Sequence, residues 1–193
     1  MIICSPQLGL SPESNLGGEV CDREMIKALD NLGVETLIIL PWSKKYPLLK
    51  HAKIYFLPTP FVYPPWLFNL LILPYVFFLY QKYKFEILRV HSPYFVGLGA
   101  LIFKFFNPKV KVVATYHHLD NNLNFFDKFL LKRFDVVTTV SEATKKELGT
   151  GIVIRNGVDS KYKPLHKNQI LLEKYNLKNK KVLLFLGQLI ERK

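Results

Sequence analysis

Cysteine is scarce in this chain, and the scarcity excludes two kinds of architecture. Only Cys4 and Cys21 occur among 193 residues. They form no CxxC pair and no Cys/His cluster, so neither a disulfide framework nor a structural zinc site is expected. Both fall in segments that read as core-facing, which fits a reducing cytoplasm. The commoner nucleotide motifs are missing as well, with no GxGxxG and no P-loop. So are zinc fingers, RNP-type aromatic strands and basic repeats, so nucleic acid is not an expected partner. Met1-Ile2-Ile3-Cys4 lacks a basic stretch and runs straight into Ser5-Pro6, so no cleavable leader is expected.

Acidic residues are few, 15 against 27 Lys and Arg, giving a net charge of +12. The imbalance is uneven: residues 101–193 hold eighteen basic and eight acidic residues, and so carry +10 of it. Such asymmetry fits an anionic partner or, since 22 of the 27 cations are lysine, ordinary solubilising charge. Charge is absent altogether from Ile54 to Gln81. The run from Phe61 to Tyr80 is long enough to span a bilayer. Pro64, Pro65 and Pro74 interrupt it, and α/β patterning on both sides reads as parts of one sheet. A buried helix over Trp66–Tyr83 is therefore the first reading. A helix dipped into the lipid interface through Tyr63, Trp66, Tyr75 and Tyr80, with Lys82 and Lys84 on anionic headgroups, is the second.

What is present is a regular alternation. Strands are expected over Met1–Ser5, Val34–Leu40, Ile54–Leu57, Glu86–Val90, Val110–Tyr116, Val136–Val140 and Ile152–Ile154. Helices are expected over Glu19–Leu32, Trp66–Tyr83, Phe95–Phe106, Phe125–Phe134 and Glu142–Leu148. In the first helix Val20, Met25, Ile26, Leu29 and Leu32 make one apolar face. In the third, Gly97, Gly99 and Ala100 are small enough for close packing on the sheet. The pattern predicts an α/β fold with a Rossmann-like open parallel sheet and helices on both faces. Ligands of such sheets bind at the C-terminal strand ends. Those ends carry Gly17-Gly18, His91-Ser92, His117-His118, Ser141 and Asn156-Gly157. His117 is a candidate site residue or a histidine bonded to backbone. Gly17-Gly18 is an anion cradle at a helix start or a plain turn. After about residue 160 the organisation changes. A basic linker, a short helix over Gln169–Tyr175 and a new strand over Lys181–Leu186 read as the incomplete start of a second domain (1–160, then 161–193).

These strand ends, in this order, resemble the GT-B glycosyltransferases of the family 4 type. The matching segments are Gly17-Gly18-Glu19, Thr115-Tyr116-His117, Val140-Ser141 and Val153-Ile154-Arg155-Asn156-Gly157-Val158-Asp159. Leu184-Phe185-Leu186-Gly187-Gln188-Leu189, followed by Lys193, resembles the opening of the donor-binding domain. The resemblance implies retaining transfer of a sugar from a nucleotide diphosphate sugar to a glycan or lipid-linked acceptor, with no metal or other cofactor. The absence of any Asp-x-Asp pair agrees with GT-B rather than the metal-dependent GT-A type. It implies His117 as the catalytic histidine. Gly17, Gly18, Gly187 and Lys193 would face the donor diphosphate, with Arg192 standing in for an arginine replaced by Gln188. His91 and Asn156 belong to the acceptor side, and His118 is a bystander. The family's Glu-x7-Glu region lies beyond residue 193, so a second chain or a longer product is expected to supply the donor domain. His117 is then expected to face solvent. The protein is expected in the cytoplasm, with peripheral contact to the inner face of the membrane. The alternative is a non-catalytic module of the same fold that binds a glycan or an anionic membrane.

Overall fold

The computed structural model describes residues 1–61, 63–117, 125–157, 166 and 168–183. The chain divides into two compact units, Met1–Asn156 and Gly157–Lys193. The first unit holds seven strands: β1 (Ile2–Pro6), β2 (Glu35–Pro41), β3 (Ala52–Leu57), β4 (Ile87–Val90), β5 (Lys111–Tyr116), β6 (Val136–Thr139) and β7 (Ile152–Val153). Its helices are α1 (Gly17–Asn31), α2 (Pro65–Tyr83), α3 (Pro93–Phe106), α4 (Phe125–Leu131) and α5 (Glu142–Leu148). All strand pairs are parallel, in the order β3-β2-β1-β4-β5-β6-β7. The expected α/β, Rossmann-like sheet is therefore the fold. The chain winds outward from β1 in one direction through β3 and in the other through β7. The strand order thus reverses between β1 and β4, where a crevice opens past the strand ends.

The two faces of the sheet differ in chemistry. One presents Cys4, Leu88, Val90, Val112, Ala114 and Val137 to a core completed by Phe68, Ile72, Val76 and Leu79 of α2 and Val96, Ala100 and Phe103 of α3. Phe77, Tyr80, Phe85 and Phe103 meet edge-on or tilted, with centroids 5.1–5.5 Å apart. Because side chains alternate along a strand, the other face carries Ser5, Arg89, Thr115 and Thr138 beside α1. Polar groups there pair across strands, as in the 2.9 Å bond between Thr138 Oγ1 and Thr115 Oγ1.

The long uncharged stretch folds as α2, with one face buried and the other carrying exposed Trp66, Leu67, Leu70 and Phe78. Among the described residues no helix is long and apolar enough to cross a membrane. Asn69, in the middle of the apolar run of α2, is buried because it ties α2 to α3. Its side chain donates to the Pro65 carbonyl at 2.9 Å and accepts from Gly99 N–H at 2.9 Å. The expectation that Gly97 and Gly99 seat α3 on the sheet is corrected here. A Cβ on Gly99 would stand 2.7 Å from the Asn69 carbonyl oxygen, and one on Gly97 would stand 3.2 Å from Phe134. Gly99 therefore serves the contact with α2, and Gly97 the contact with Leu130 of α4 and Phe134 after it.

Three further expectations change. Gly17 and Gly18 lie inside the first turn of α1 rather than before it. Leu32 is not on the buried face of α1 but past its end and exposed, while Asp22, Ile26 and Asp30 form the buried stripe. Lys181–Leu183 is exposed and not in a strand, since no described strand pairs with it. Leu184–Lys193 lies outside the described residues. In the second unit, α6 (Gln169–Lys174) is capped by Asn168, whose side chain accepts from Leu171 N–H at 3.2 Å.

Candidate active site

The site is built where β1, β4 and β5 end beside the start of α1. Ser5 and Gln7 come from β1 and the residues after it, and both are buried. Gln7 Nε2 donates to Ser5 Oγ at 2.6 Å. Arg89 lies in β4 and is buried, an unusual setting for a guanidinium. Its Nη1 stands 2.6 Å from Asp22 Oδ1 on α1 and 3.3 Å from Ser5 Oγ. Its Nη2 reaches Met25 Sδ and His91 Nδ1, each at 3.2 Å. His91 follows β4 and is buried, with Nδ1 3.1 Å from Asp22 Oδ1. His117 follows β5. Its Nε2 lies 3.2 Å from His91 Nδ1, and the two ring centroids are 4.2 Å apart. It is half-buried against His91 rather than standing in solvent.

The electrostatics follow from burial. Burial pushes the His91 pKa down to about 2, with the Arg89 and His117 charges adding to it and a backbone hydrogen bond to Gly18 opposing. His91 is thus a neutral ring at physiological pH. Burial likewise raises the Asp22 carboxyl to about 6, against the pull of Arg89. Near neutral pH the carboxylate and guanidinium form a buried ion pair with a neutral imidazole on its edge. The Arg89 guanidinium stands among the Asp22 and histidine donor atoms, a place that a cation would otherwise need.

The loop before α1 is braced from the helix. Glu19 Oε1 accepts from Ser11 N–H at 2.7 Å. Arg23 Nη1 donates to the Ser11 carbonyl at 2.6 Å and also reaches the Pro12 and Ser14 carbonyls. Two side chains of α1 therefore hold the loop that precedes it. Gly17 and Gly18 have nothing within 4 Å of where a Cβ would stand. Packing inside the protein does not require glycine there.

Of the residues singled out from the sequence, Gly18, His91 and His117 are brought together. Asn156 lies past β7, where its Oδ1 accepts from the Cys21 thiol at 3.1 Å. Cys21 is therefore half-buried rather than in the core, unlike Cys4. Ser141 caps α5, accepting from Thr144 N–H at 3.1 Å. His118, Val158, Asp159, Gly187, Gln188, Arg192 and Lys193 lie outside the described residues. Sequence reasoning missed Asp22, Arg89, Glu19 and Arg23. The available signal was a charge inside an apolar strand, at Arg89, together with an acidic residue, Asp22, one helical turn before Ile26 on the same face of α1.

A family model, Glycosyltransferase Family 4, matches residues 17–162. The chain belongs to that family. The match starts at the first turn of α1 and runs past β7, so it covers most of the crevice just described. No curated protein matches. Among solved structures, the lipopolysaccharide outer core galactosyltransferase WaaB in its apo form aligns at 12% identity and TM-score 0.52. That alignment covers 77% of this chain and 42% of that one. An alpha-glucosyltransferase in complex with UDP and a 13-mer DNA aligns at 13% identity and TM-score 0.44, covering 82% and 41%. A DNA/pantothenate metabolism flavoprotein from Streptococcus pneumoniae aligns at 11% identity and TM-score 0.45, covering 74% and 81%. The likeness to the galactosyltransferase shows a shared α/β fold over the aligned part. The family 4 chain spans about two fifths of the length of the two transferases.

Proposed function

We propose that this family 4 protein takes part in retaining transfer of a hexose from a nucleotide diphosphate sugar to a glycan or lipid-linked acceptor. The observation that carries the reading is the convergence of His117, His91 and the Gly17-Gly18 helix start at the β1/β4 crevice. The transition state of such a transfer resembles an oxocarbenium ion, and negative charge grows on the departing diphosphate. Helix-start N–H groups and the α1 dipole meet that charge, and the exposed glycines admit the diphosphate closely. In this reading His117, at the crevice end of β5, hydrogen-bonds the transferred sugar. No step calls on a metal. Gly187, Lys193 and Arg192 would add cationic and backbone contacts to the diphosphate, and a donor-binding domain would complete the cleft. In the same reading His91, which meets Asp22, Arg89 and His117, and Asn156, which accepts from Cys21, support the acceptor side of the crevice. The protein acts at the cytoplasmic membrane face, and nucleic acid is not its acceptor.

The test incubates the protein, together with whatever donor domain completes it, with UDP-, GDP- and ADP-hexoses and extracted lipid acceptors. The product is followed by mass spectrometry. The expected result is donor-dependent addition of one hexose, lost in His117→Ala. No addition with any donor and acceptor would refute the reading.

A further inference from the structure

A buried ion pair is an expensive way to hold a fold together. Desolvating each ion costs several kcal/mol, and apolar residues of the same size are often more stabilising. Asp22 and Arg89 form such a pair, and they form it directly beneath the two histidines. Arg89 also bridges three elements, meeting Ser5 of β1, Met25 of α1 and His91 at the end of its own strand. Asp22 is covered, and Arg89, though it lines a cavity beside Met25 and Thr115, is buried and engaged by Asp22, Ser5 and His91.

We propose that Asp22 and Arg89 are positioning residues: the pair locks the His91 ring, and His91 in turn fixes the orientation and tautomer of His117. This rests on the sugar-transfer reading for its consequence but not for its geometry. Three groups meet at His91 Nδ1: Asp22 Oδ1 at 3.1 Å, and Arg89 Nη2 and His117 Nε2 at 3.2 Å. Whether His117 Nε2 gives or takes the hydrogen in that contact is therefore set by how the Asp22–Arg89 pair faces Nδ1. Asp22 holds the guanidinium from the far side, 2.6 Å from Nη1, so that its fork keeps pointing at His91. The chain of contact runs from α1 through β4 to the end of β5, which makes the catalytic ring answer to the seating of the glycine-bearing helix.

Nitrogen-15 imidazole NMR on the full chain tests this. The wild type should show His91 as a single neutral tautomer and His117 as a single tautomer at neutral pH. Asp22→Asn, and the double variant Asp22→Asn/Arg89→Gln, should show His117 as a mixture of tautomers with a shifted titration. The double variant leaves no orphaned charge and so keeps the test available if Asp22→Asn alone unfolds. Arg89→Lys, which keeps the charge and loses the fork, should fall on the side of the mixture. In transfer assays kcat should drop by about a hundredfold with donor KM nearly unchanged, as expected for a misplaced group. A folded double variant whose His117 tautomer and titration match the wild type would overturn the proposal. If the wild type transfers no sugar, the functional reading fails, and the NMR result still decides the positioning role.

Discussion

His91 and Asp22 touch, yet burial drives their proton equilibria in directions that oppose each other in folding. His91 falls from an ordinary 6.5 to about 2, so the unfolded chain binds its proton more readily than the fold does. That contribution to stability is complete above pH 6.5 and is lost as pH falls towards 2. Asp22 rises from an ordinary 3.8 to about 6, so the fold binds its proton more readily. Its contribution is present below pH 3.8 and is lost as pH rises through 6. Between pH 6 and 4 the two slopes, about 1.4 kcal/mol per pH unit each, cancel. Asp22→Asn should remove the compensation. The urea midpoint of the variant, relative to wild type, should then decline steadily from pH 6 to 4. Parallel curves would show that Asp22 is not buried as described. The histidines themselves were legible in the sequence because a parallel sheet sends its strand ends to the crevice. Asp22 and Arg89 were not, because helical spacing alone marks position 22 as core, and only the tertiary meeting of α1 with β4 shows that the core there is ionic.

At the scale of elements, two glycine settings in this chain predict opposite outcomes. In α3, a Cβ on Gly99 would press on the Asn69 carbonyl at 2.7 Å, where backbone cannot yield. Gly99→Ala should cost about 1–3 kcal/mol in urea unfolding, the usual range for overpacking. In α1, Gly17 has open space and ordinary helical backbone, so Gly17→Ala should stabilise by about 0.5–1 kcal/mol. The same methyl should weaken binding of UDP or GDP in calorimetry, because it stands where a diphosphate would approach. Unchanged binding would remove Gly17 from the donor site. The loop before α1 adds a third expectation. Arg23→Ala frees the Ser11, Pro12 and Ser14 carbonyls, so protease cleavage between Pro6 and Leu16 should quicken while the midpoint moves little. Element existence was readable throughout the first unit, since parallel strands and amphipathic helices carry distinct periods. The bracing of the loop was not, because Glu19 and Arg23 look like ordinary first-turn and surface charges until the chain folds back over them.

For the molecule as a whole, the parallel sheet gathers the residues after every strand at one edge. Trp42 follows β2, Phe61 follows β3, Tyr63 and Trp66 open α2, and Tyr94 opens α3. All five are 62–72% exposed, on the same edge as the paired histidines. Tyr63 and Tyr94 pack edge-on against Phe95, and the Trp42 backbone N–H donates to the Thr59 carbonyl, which ties the segment after β2 to the segment after β3. Amphipathic aromatics of this kind favour the headgroup region, and a net charge of +12 favours anionic lipid. A lipid-linked acceptor would then meet the crevice at the membrane surface. The chain has two tryptophans, Trp42 and Trp66, and both lie on this rim, so their emission reports docking directly. Phosphatidylglycerol vesicles should shift the emission to the blue and retain the full chain on flotation. Phosphatidylcholine vesicles should do so weakly, and added salt should weaken retention on anionic vesicles. Phe61→Ser with Trp66→Ser should lower affinity by at least about tenfold, since each buried ring contributes about 1.5–3 kcal/mol. Emission that stays put on anionic vesicles, or retention indifferent to both substitutions, would leave the rim without a membrane role.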